Sequence, residues 1–102
     1  SLETQKLLDL GKKLEILFNQ GPKTIIPRSL QLFLFGLIFF GFWEDKPQNV
    51  MKVEIDEILK KYKEGVFSEV ESEIKKIKNL EELKSFIGEI IPKVKKILYL
   101  PL

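Results

Sequence analysis

A chain of 102 residues with 44% hydrophobic and 31% charged side chains has the length of a single domain, 1–102, and the balance of a globular chain rather than a disordered one. It contains no cysteine and no histidine. Disulfide frameworks and thiolate metal sites are thereby excluded, and the commonest general base and transition-metal ligand is missing. The net charge of +2 is too small to argue for nucleic acid or a membrane surface by itself.

Taken in order, the chain opens with Ser-Leu-Glu-Thr-Gln-Lys, where no apolar run follows a basic start, so no signal peptide is read there and a cytoplasmic protein is expected. Residues 2–19 are predicted to form a first helix, because Leu7, Leu10, Leu14 and Leu17 recur at spacings of three and four. Gly21-Pro22 stops it, glycine as a C-terminal cap and proline as a residue that cannot continue a helix.

A second helix is predicted from Pro27, suited to a first turn, to about Trp43. The stretch Leu-Gln-Leu-Phe-Leu-Phe-Gly-Leu-Ile-Phe-Phe-Gly-Phe-Trp, residues 30–43, is the most apolar of the chain, and the rest reads as one-sided charged helices able to wrap it. Its uninterrupted apolar run of about 14 residues spans roughly 21 Å against a hydrocarbon layer of roughly 30 Å, which favours a buried core helix over a transmembrane one. Arg28 and Trp43 at its ends resemble interfacial anchors, so a membrane-associated protein stays as an alternative. Gly36 and Gly41 are read as permitting close helix packing.

After the polar loop 44–49, a third helix is predicted over 48–64 with Met51, Ile55, Ile58, Leu59 and Tyr62 as its stripe, ended by Gly65. Ser68 with Glu71 fits a capping box opening a fourth helix with Val70, Ile74 and Ile77 on its apolar face. Asn79 with Glu82 fits a second box opening a fifth, whose seam of Leu80, Leu83, Ile87, Ile90, Val94 and Ile97 runs through Pro92, read as a kink or as the start of a separate helix. Segments 54–63 and 69–78 look alike, as two acid-first, base-last helices rather than a solenoid. No segment alternates with period two, so the fold class is all-α: about five helices in an up-and-down bundle around the second, with the last kinked at Pro92.

The carboxylates do not assemble chemistry. Glu69, Glu71 and Glu73 scatter around a helix, and a bundle di-metal site needs Glu-x-x-His pairs that a chain without histidine lacks. Asp56–Lys60, Glu57–Lys61, Glu71–Lys75 and Glu89–Lys93 are spaced to pair along helix faces instead. The serines have no histidine to activate them and the glycines form no phosphate-cradling loop, so no enzyme and no cofactor is expected. Lysines cluster late in their helices, where the helix dipole favours cations. An up-and-down bundle gathers Lys12, Lys13, Lys60, Lys61, Lys63, Lys93, Lys95 and Lys96 at one pole, with Glu69, Glu71 and Glu73 partly cancelling their field; Lys60, Lys61, Lys95 and Lys96 are the candidate phosphate contacts. Arg28 as the only arginine weighs against nucleic-acid recognition. Lysine and glutamate enrichment without alanine suggests a thermophilic source.

On the wheel of the second helix, Leu30, Phe33, Leu34, Leu37, Phe40 and Gly41 share one side. The opposite side starts with Arg28 and Gln31 and continues as Phe35, Ile38, Phe39 and Phe42. In so small a domain that second row is expected to stay uncovered and serve as an association surface, most simply a homodimer seam. The terminal Tyr99 and Leu100 are expected to dock on the bundle or on a neighbouring copy. The function expected from sequence is thus a non-enzymatic helical module that associates with itself or with a larger protein partner. The alternatives are an accessory subunit touching nucleic-acid backbone and a membrane-associated protein.

Overall fold

The computed structural model describes Gln5 and residues 26–100. The helix expected over residues 2–19, with Lys12 and Lys13, and the stop at Gly21-Pro22 lie outside the described residues, apart from Gln5, which is helical. Among the described residues the chain is all-helical, with no strand and four helices: α1 Arg28–Phe39, α2 Gln48–Lys63, α3 Ser68–Ile74 and α4 Leu80–Tyr99.

The most apolar stretch becomes α1. Pro27 sits just ahead of it in extended conformation (φ −54°, ψ 145°), and its carbonyl accepts the Gln31 N–H at 3.0 Å. The Gln31 side-chain amide donates back to the Ile26 carbonyl at 3.0 Å. The first is the opening i→i−4 bond of the helix, and the second ties the Gln31 side chain to the segment of chain entering it.

The helix was expected to reach Trp43 but ends at Phe39, and the reason is Gly41. With φ +84°, Gly41 takes the left-handed position of a Schellman cap: its own N–H bonds the Ile38 carbonyl, and the Phe42 N–H reaches the Leu37 carbonyl at 2.9 Å. Gly65, at φ +85°, ends α2 in the same way, with Gly65 N–H on Tyr62 and Val66 N–H on Lys61. Gly36 is the glycine that permits close packing. A Cβ there would lie 2.8 Å from both Cγ1 and Cδ1 of Ile87, so α4 crosses α1 against bare backbone.

The two predicted capping boxes part company. Asn79 accepts the Glu82 N–H at 2.9 Å, and Glu82 Oε2 accepts the Lys78 N–H, which closes the start of α4. Ser68, by contrast, is already inside α3, and the residue preceding the helix is Phe67, with no side-chain cap. Phe67 is buried against the Phe33 ring (centroids 5.5 Å apart), and burying that ring fixes where the helix starts. The segment expected to be one long helix over 69–78 is short for a related reason. Asn79 must be extended to cap α4, so the chain leaves α3 after Ile74.

α4 runs unbroken through Pro92. Proline lacks the N–H that would bond the carbonyl four residues back, on Gly88. Both Pro92 and Gly88 are exposed, so that carbonyl lies on the solvated side of the helix.

The core is built on α1. Leu30, Phe33, Leu34 and Leu37 meet Ile55 and Ile58 of α2, Val70 and Ile74 of α3, and Leu83, Ile87 and Val94 of α4 in one buried cluster. Side-chain bonds give the directions. Ser29 and Tyr62 are joined at 2.6 Å, so α1 starts where α2 ends. The Tyr99 hydroxyl reaches Glu54, while Lys93 pairs with Glu69, so α4 runs antiparallel to α2 and ends beside its beginning.

Candidate interaction surfaces

The four residues expected to form an uncovered row do not form one. Ile38 and Phe39 are 7% and 9% exposed within the chain, while Phe35 and Phe42 are half-buried against the core. The Phe39 ring stacks on Phe35 (5.6 Å, 21°) and takes Phe40 edge-on (5.0 Å, 86°). Two physical causes correct the wheel. The helix stops before Phe42, which therefore leaves the helical register, and the remaining apolar positions are covered because α1 is more central than a domain of this size was expected to allow.

The lysine pole is corrected as well. Lys60 and Lys61 occupy the last turn of α2, whereas the last turn of α4 with Lys96, and Lys95 just before it, belongs to the helix that ends beside the start of α2. Lys61 is held between Glu57 (3.8 Å) and Glu64 (3.7 Å). Glu71 pairs with Lys75 as the spacing suggests, but Asp56 pairs with Lys52, and Lys93 is drawn across to Glu69 on α3. No helix among the described residues is long and apolar enough to cross a membrane.

One polar cluster was not foreseen. Glu54, in the second turn of α2, is 8% exposed and is the one buried charged residue among those described. Lys46, in the loop before α2, donates to Glu54 Oε1 at 2.9 Å and also to the Tyr99 hydroxyl. The Tyr99 hydroxyl donates to Glu54 Oε2 at 2.5 Å. The ammonium lies 4.2 Å from the Tyr99 ring centroid and 5.6 Å from that of Phe42, which in turn meets Trp43 edge-on at 4.8 Å. Desolvation works against the charged Lys46, but the hydrogen bonds to Tyr99 and Glu54 outweigh it, and its pKa is raised. Burial, then the hydrogen bond to Glu54, raises Tyr99. The cluster is a clasp joining the end of α4 to the start of α2.

Around this clasp lies an apolar corner. Val53 is 68% exposed, Leu100 58% and Tyr99 44%, and Val50 is exposed one turn before Glu54. The Tyr99–Glu54 bond brings these two chain regions together. Tyr99 docks as expected through its hydroxyl, whereas Leu100 stays in solvent.

A second feature lies across the other side of α4. An open groove of about 420 Å³ between α3 and the first half of α4 carries Glu73, Glu81, Glu82 and Glu89 above Ile77 and Phe86. It shares Ile77 with an apolar dent of about 240 Å³ lined by Leu32, Phe35, Leu80 and Leu83. Among the described residues no three acidic side chains converge as a metal-ligand set.

Against models of known families, curated proteins and solved structures, the chain shows no match.

Proposed function

We propose that this chain is a non-enzymatic helical module that works by association, and that its self-contact is the corner of Val50, Val53, Tyr99 and Leu100. The observation that carries this reading is Val53. A β-branched residue on an exposed helical position has poorer helix propensity than the lysine and glutamate that fill most surface positions of this chain. It also leaves apolar area in water, three residues after the exposed Val50 and one residue before Glu54, which accepts from Tyr99. Lys52 and Asp56 flank it with opposite charges, 3.6 Å apart, so a two-fold copy meets a neutral rim.

The test is the mass in solution over a concentration series, by sedimentation equilibrium. The wild-type chain is expected to exceed its 11.9 kDa monomer mass, and Val53→Lys to return it to the monomer with unchanged helicity. A wild type that stays at monomer mass at the highest concentrations overturns the proposal.

A further inference from the structure

We infer that the groove between α3 and α4, together with the dent beside it, is a docking site for a basic amphipathic segment of a partner protein. Four carboxylates, Glu73, Glu81, Glu82 and Glu89, line the groove against Lys76, and the adjoining dent adds Lys78, which leaves an excess of negative charge in a chain whose net charge is positive. The fold itself creates that imbalance. Glu89 is spaced to pair with Lys93, but Lys93 is engaged by Glu69 on α3. Glu82 is committed to the α4 cap, where it accepts an amide rather than an ammonium, and among the described residues Glu73 pairs with the exposed Lys76 at 3.5 Å.

The acidic face alone would attract any cation. The dent selects among them. Apart from Lys78 and Asn79 it is apolar, bounded by half-buried Phe35 and by Leu80, which is nearly half exposed at the start of α4. Because the two depressions adjoin at Ile77, an occupant that fills both presents an aliphatic side chain to the dent and a lysine or arginine to the acidic groove. That is the chemistry of an amphipathic helix laid in a groove with a basic flank. Among the described residues no group of acidic side chains is arranged to hold a metal ion there. This site is separate from the Val53 corner and does not depend on it.

The experiment titrates the full chain against a fluorescein-labelled synthetic helix of leucine and lysine, followed by anisotropy. Two control peptides of equal length are used, one with glutamate replacing lysine and one of lysine without leucine. The wild-type chain is expected to bind the leucine–lysine peptide about tenfold more tightly than either control, an affinity that falls with salt. Glu81→Gln with Glu89→Gln is expected to weaken binding about fivefold or more and to flatten its salt dependence, and Leu80→Ser to weaken it with the salt dependence kept. Val53→Lys is expected to bind as wild type does, which separates this site from self-association. Equal binding of the lysine-only peptide, or unchanged binding in the Glu81/Glu89 or Leu80 variants while circular dichroism shows them folded, overturns the inference.

Discussion

At the scale of single residues, the feature with most consequence is Glu54, a carboxylate buried in a helix whose other buried positions are Met51, Ile55 and Ile58. Burying a charge is unfavourable unless it is paired and hydrogen-bonded, and Lys46 with Tyr99 supply both. Lys46→Met removes the cation and leaves Glu54 with one hydroxyl, and is expected to lower stability by about 2 kcal/mol; Tyr99→Phe leaves the ion pair and is expected to cost about 1 kcal/mol or less, since Tyr99 is largely solvated. The pKa shifts fix the sign with pH. Tyr99 and Lys46 both titrate higher when folded than their ordinary values of 10.0 and 10.5. Their contribution is therefore complete below about pH 10 and lost as pH rises through the raised values. Thermal melts from pH 8 to 11 are expected to show the wild type losing more stability at the alkaline end than Tyr99→Phe; parallel curves would refute the clasp. None of this was legible beforehand. Lys46, Glu54 and Tyr99 are brought together by packing across as many as 53 residues, and no local spacing encodes that.

At the scale of elements, the sequence told helix from strand throughout the described span and located starts and stops at Asn79 and Gly65, because caps and left-handed glycines are local chemistry. It misassigned what tertiary contacts decide. Phe67 continues the stripe of Val70 and Ile74 one turn back, a signal present in the spacing, yet the polar Ser68 reads as the boundary. Gly36 and Gly41 look equivalent in an apolar run but act through different physics, and alanine separates them. Gly41→Ala forces a side chain into the left-handed region, with only the flexible Glu44 carboxylate near it, and is expected to cost about 1–2 kcal/mol whatever its neighbours. Gly36→Ala drives a methyl into Ile87 and is expected to cost about 1–3 kcal/mol. Ile87→Val removes the Cδ1 atom, so the Gly36→Ala penalty should shrink in that background while the Gly41→Ala penalty does not. Denaturant melts of the four combinations measure this coupling, and equal additivity for both glycines would sink the distinction.

At the scale of the whole molecule, the wheel of the second predicted helix placed Leu30, Phe33, Leu34 and Leu37 correctly in the core, included Phe40 and Gly41, which lie past the helix end and are only partly buried, and overestimated what would be left uncovered. Amphipathicity is legible one helix at a time; how many neighbours a helix acquires is not. Of the exposed large apolar side chains among the described residues, Val50, Val53, Tyr99 and Leu100 belong to the start of α2 and the end of α4, where the Tyr99–Glu54 bond closes the chain on itself, while Val66 and Leu80 lie elsewhere. This closure makes separate demands on stability and on association, and truncation resolves them. Ending the chain at Tyr99 removes Leu100 from the corner but keeps the hydroxyl on Glu54 and the half-buried Ile97 and Leu98. Ending it at Lys96 removes all of these, exposes the core beneath Ile97 and Leu98, and leaves Glu54 with Lys46 alone. Each partly buried aliphatic side chain is worth on the order of 1 kcal/mol. The shorter chain is therefore expected to lose about 2–3 kcal/mol of stability, a fall of several degrees or more in melting temperature, while the chain ending at Tyr99 melts with the wild type but associates more weakly. Calorimetry and sedimentation on the same two proteins read the two effects independently. If the chain ending at Tyr99 melts early, Leu100 belongs to the fold and not to the corner; if the chain ending at Lys96 melts unchanged, the clasp contributes nothing to holding α4 against α2.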